Sequence, residues 1–61
     1  MIYVTLINED GTTRRRLLIN KEAIIFCVED NTYLNDGSIC TRIELMEQWT
    51  FYVSEKLSDI L

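Results

Sequence analysis

A chain of 61 residues, 48% hydrophobic and 26% charged, can hold one domain with one small core, and is too apolar for a disordered segment. Ten acidic residues against six basic ones leave a net charge of −4, which disfavours nucleic acid as the main partner. There is no histidine, which excludes an imidazole base, a Ser-His or Cys-His nucleophile pair and an imidazole metal ligand.

The elements follow in chain order. Ile2, Val4 and Leu6 alternate with Tyr3 and Thr5, the period of a half-buried strand. Asp10-Gly11 is a hairpin signal, so a second strand over roughly 12–19 should return beside the first. Leu17 and Leu18 are both apolar, which leaves its register open. A polar link, Asn20-Lys21-Glu22, precedes a third strand, "AIIFCVE", apolar on both faces. "TYL" reads as a brief fourth strand, Asp36-Gly37 as a second hairpin turn, and Ser38 to Cys40 as a short fifth strand. Thr41 and Glu44 have the spacing of a capping box, with Cys40 and Leu45 at the positions of a hydrophobic staple. Leu45, Trp49, Tyr52, Val53, Leu57 and Ile60 then recur at spacings of four and three, with Met46 widening the stripe and Phe51 off it.

The expected fold class is therefore α+β. It has a small antiparallel sheet of about five short strands, with hairpins at Asp10-Gly11 and Asp36-Gly37. One C-terminal amphipathic helix, about 42–60, lies across one face. On this reading Trp49 is core, and Trp49→Ala should cost about 3–5 kcal/mol. Thr41 is the helix cap, and Thr41→Ala should cost about 1 kcal/mol.

The longest wholly apolar run, Ala23 to Val28, is far shorter than a membrane span, so no membrane insertion is expected. The opening Met-Ile-Tyr-Val-Thr has no basic n-region and no cleavage site, and a cytoplasmic location follows. Cys27 and Cys40 form no CxxC pair and read as small buried hydrophobes, although an oxidising compartment would permit a disulfide. The glycines are too few for a phosphate-cradling loop. Asp10, Asp30 and Asp36 fall in expected turns, where aspartate commonly caps the backbone. No catalytic residue, metal site or cofactor is assigned, and the chain reads as a non-enzyme.

Arg14, Arg15 and Arg16 hold half of the positive charge in one run. In a strand they can guard a sheet edge against unwanted pairing. They can also recognise an acidic partner, and the two roles are compatible. A nucleic-acid binder using these arginines, with Tyr33 or Tyr3 for stacking, is the alternative from another class. One helix covers only one face of a sheet, so Tyr3, Tyr33, Phe26 and Phe51 cannot all lie beneath it. Either the sheet curls tightly round one core, or a partner shelters the remainder, a homodimer being the commonest arrangement. The expected partner-binding residues are Arg14, Arg15, Arg16, Tyr3, Tyr33 and Phe51.

Met1-Ile2-x-Val4-Thr5-x-x-Asn8 and the stretch "EDNTYLNDGSICTRIE" resemble the small FlbD/SwrD family associated with bacterial flagella and swarming. The order of elements resembles that family over most of the chain. Glu9-Asp10 lengthens the first turn, and Leu6, the triple arginine and Trp49 depart from its pattern. The resemblance implies a fold and a non-enzymatic accessory role in motility, and it carries over no functional residue. The expected function is thus a small protein-binding module docking a sheet face or edge on a larger protein. A phage or mobile-element inhibitor of a host protein is the variant with the same physics.

Overall fold

Alternation of apolar and polar side chains sets the first two elements. The computed structural model describes residues 1–60. Ile2–Ile7 forms β1 and Thr13–Ile19 forms β2, paired antiparallel. The turn between them is closed by the Gly11 amide donating to the Asn8 carbonyl at 2.9 Å and the Asn8 amide donating to Thr12 at 2.8 Å. Gly11 has φ 88°, which side chains disfavour, so the Asp-Gly signal is realised as expected. The register pairs Val4 with Leu17 and Tyr3 with Leu18. This settles the ambiguous pair: Leu17 is half-buried on the core side and Leu18 is exposed. A bulge between Thr5 and Ile7 breaks the alternation, and both Leu6 and Ile7 are buried.

Asn20 starts a short 3-10 turn, Lys21–Ala23, its side-chain oxygen accepting from the Glu22 amide at 3.0 Å. Ile24–Asp30 follows as β3. Residues 31–39 then form a connection of bends and turns, not the two strands expected at "TYL" and Ser38 to Cys40. Asp36-Gly37 does turn the chain, with Gly37 donating to Leu34 at 3.0 Å, but inside this longer loop.

The expected helix over 42–60 is corrected. Cys40–Leu45 is β4, Trp49–Val53 is β5, and among the described residues only Leu57–Ile60, α1, is α-helical. The physical reason lies in side-chain type. Thr41 and Ile43 are β-branched, and Trp49 to Val53 is a run of aromatic and β-branched residues that fit a pleated surface. Leu45, Trp49 and Val53 satisfy a helical stripe, but Thr41, Ile43 and Leu45, then Trp49, Phe51 and Val53, also satisfy a period of two. Thr41 is no cap. It is buried in β4, and its hydroxyl donates to the Glu55 carbonyl at 2.7 Å.

The turn between β4 and β5, Met46–Gln48, contains no glycine. Glu47 (φ 68°) and Gln48 (φ 67°) nevertheless both adopt left-handed backbone. Two such positions in a tight strand connection match the primed turns that suit strand twist, but ordinary side chains are strained there.

The sheet runs β2-β1-β5-β4-β3. Its two outermost strands, β2 and β3, are consecutive in the chain and joined only through Asn20–Ala23. A sheet whose opposite margins share so short a link must bend back on itself. The core lies inside that curl, where Val4, Ile43 and Val53 are fully buried with Leu6, Ile19 and Ile60 around them. The expected class, a small antiparallel sheet with a C-terminal helix, holds. Curvature replaces the long helix as the cover, and α1 contributes Ile60 to it.

The seam between β1 and β5 is short. Its ladder pairs Leu6 with Val53, and Ser54 donates to the Thr5 carbonyl at 3.0 Å. Glu55 reinforces it: one carboxylate oxygen accepts the Thr5 amide at 2.7 Å and the other accepts the Thr5 hydroxyl at 2.8 Å. Glu55→Ala should lower unfolding free energy by about 1–3 kcal/mol in urea melts, because the Thr5 amide loses its acceptor. Glu47→Asn with Gln48→Gly should raise it by about 1 kcal/mol, because both residues suit left-handed backbone.

Candidate docking site

The inner face of the curl is open at the β4–β5 turn. Leu17 and Ile19 of β2, Ala23, and Leu45, Met46, Trp49 and Phe51 line a groove there of about 420 Å³. Trp49 and Met46 stand at its mouth, 59% and 56% exposed. Trp49 is therefore not core, and the cost of about 3–5 kcal/mol expected for its truncation does not apply to so exposed a side chain. Its alternation partner Phe51 is half-buried against the core, with the two ring centroids 6.1 Å apart. The strained Glu47–Gln48 turn fixes the chain direction into Trp49, so this exposed aromatic sits on an ordered strand.

The arginines lie on the same strand as one wall of the groove. Arg14, Arg15 and Arg16 occupy the first half of β2, Leu17 to Ile19 the second. All three arginines are exposed. The Arg16 guanidinium lies 4.6 Å from the centre of the exposed Tyr3 ring, a cation–π contact. Among the described residues the ion pairs involve Arg42 instead, with Asp30 at 3.3 Å and Glu44 at 3.2 Å. Among the described residues the β2 arginines face no carboxylate within pairing distance.

Tyr33, expected at a partner surface, is engaged within the fold. Its ring stacks on Tyr52 at 3.9 Å between centroids, and its hydroxyl donates to the Ile7 carbonyl at 2.9 Å. Burial, with Glu9 nearby, raises its phenol above the ordinary value. Thus Tyr33 latches the 31–39 loop across the sheet. Of the expected partner-binding residues, the structure brings Arg16 and Tyr3 together, places Arg14 and Arg15 beside them on β2, puts Phe51 in the groove, and uses Tyr33 as a strap.

The three turn aspartates each hold the amide and hydroxyl of the residue two positions on: Asp10 those of Thr12, Asp30 those of Thr32, Asp36 those of Ser38. These bonds favour the carboxylates and lower all three pKa values. Asp30 also accepts from the Tyr33 amide at 3.1 Å and pairs with Arg42. Among the described residues no cluster of His, Cys, Asp or Glu is arranged to hold a metal ion. Cys40 is buried and Cys27 half-buried, both as free thiols whose pKa values burial raises. Among the described residues no helix is long and apolar enough to cross a membrane.

Comparison of the chain with family models, with curated proteins and with solved structures gave no match.

Asp30 carries a pH prediction. Its pKa is lowered in the fold, chiefly by the Thr32 amide and hydroxyl. Its stabilisation is complete above the unfolded aspartate value and is lost as pH falls through the folded one. Asp30→Asn should therefore lower stability at neutral pH and flatten its decline on acidification below about pH 4. Equal acid slopes in urea melts of both proteins would contradict this.

Proposed function

We propose that this chain is a non-catalytic protein-binding module that docks onto a larger protein, inserting an apolar anchor of that partner into the Trp49 groove. One observation carries the reading: a largely exposed tryptophan, beside an exposed methionine, at the mouth of an apolar groove held by a strained turn. Strained backbone concentrates where function requires it, and exposed aromatic and methionine clusters on small proteins mark interaction surfaces. Tryptophan in particular is enriched among residues that dominate binding energy. The net charge of −4 supports a protein partner over nucleic acid. The FlbD/SwrD-like segments support a narrower form, in which the partner belongs to the bacterial motility apparatus.

Trp49→Ala tests the reading. Because the side chain is mostly exposed, its loss should cost less than about 1 kcal/mol of stability. The folded variant should lose a partner that the wild-type protein captures from its host and retains at high salt, since apolar docking is weakly screened. A partner retained equally by both proteins would overturn the groove as the docking site. Capture of only a second copy of the chain would replace the larger partner with a homodimer.

A further inference from the structure

β2 is one outer margin of the sheet and pairs only with β1. Alternate residues along it turn their amides and carbonyls outward, and among the described residues no turn or loop backbone bond takes them up. Such an edge is a template for another strand unless something guards it. Here the guard has one sign. Arg14, Arg15 and Arg16 are exposed, without carboxylate partners among the described residues, in a chain whose overall charge is negative. Like charges directly opposite each other destabilise a strand pair. The guard therefore repels a second β2 and attracts a strand of opposite sign. The strand's character then changes. Leu17 is half-buried, and Leu18, next to Tyr3 in the register, is exposed.

We propose that β2 accepts, as an added strand, an extended segment of another protein that is acidic where it passes Arg14–Arg16 and apolar where it passes Leu17–Leu18. This rests on the protein-binding reading and adds a second contact class to it. Main-chain hydrogen bonds supply a sequence-tolerant part of the affinity, and the side chains supply direction. A nucleic acid could meet the arginines but could not continue the ladder, because it has no alternating amide donors and carbonyl acceptors.

The probe is a short rhodamine-labelled peptide, glutamate-rich in one half and valine-rich in the other, followed by fluorescence anisotropy. Five results are expected. Binding is saturable. N-methylation of alternate backbone amides weakens it at least about tenfold, a loss of about 1.4 kcal/mol. Exchange of glutamate for lysine abolishes it. Arg14→Glu with Arg16→Glu also weakens it at least about tenfold. Both substituted residues are exposed, and an unchanged circular dichroism spectrum verifies the fold. Trp49→Ala should leave peptide binding intact, which separates this edge from the groove. No saturable binding by about 1 mM overturns the proposal. So does equal binding of the N-methylated peptide, or tighter binding of an oligothymidylate. Groove-dependent capture that persists in the double arginine variant would leave the module reading standing.

Discussion

The structure depends on the seam where β1 meets β5. On one side of it stands the β1–β2 hairpin and on the other the β3–β4–β5 meander. Neither piece can bury its apolar face alone, and a lone hairpin is at best marginal in water. Joined, they place Val4 of one piece against Ile43 and Val53 of the other at the centre of the core. The seam's regular ladder is brief, so Glu55 serves as an additional partner for β1, holding Thr5 through both its amide and its hydroxyl. Thr41 of β4 in turn donates to the carbonyl of Glu55. A few hydrogen bonds between segments far apart in sequence thus decide whether the curl closes.

The first half of this fold was legible because its signals agree. Alternation in β1, an Asp-Gly turn and the apolar third strand all point the same way. Leu17-Leu18 was unreadable alone, because only the pairing with β1 tells which leucine faces inward. The second half was misread for an identifiable reason. Apolar residues at Leu45, Trp49 and Val53 suit both a helix and a strand pair, and the turn that separates the strands carries Glu47-Gln48 in place of an Asn-Gly. With the usual punctuation missing, a single helix looked continuous. The aromatic and β-branched run from Trp49 to Val53 was the signal that could have corrected it. Reading Trp49 into a helix also hid the groove, which exists only because β4 and β5 meet at that turn. The arginine run and Tyr3 were legible as surface, whereas the role of Tyr33 depends on a loop path that no local pattern encodes.

The expected surplus of apolar surface is partly absorbed and partly real. Curling brings Ile24, Cys27, Leu45 and Phe51 against the core, so the sheet shelters more than a flat one would. Ile25, Phe26, Trp49 and Met46 still stand in water. β2 combines the two kinds of surface in one strand, with charge in its first half and aliphatic carbon in its second.

The antiparallel seam has a mechanical consequence. With Leu6 opposite Val53, the start of β1 and the segment after β5 emerge at the same end of the seam. A load applied through the two flanks of this chain would peel β1 from β5 one bond at a time instead of shearing the ladder all at once. Under tension the fold therefore opens as a zipper does, at low force, once α1 has drawn Ile60 out of the core and the Glu55 clasp has parted.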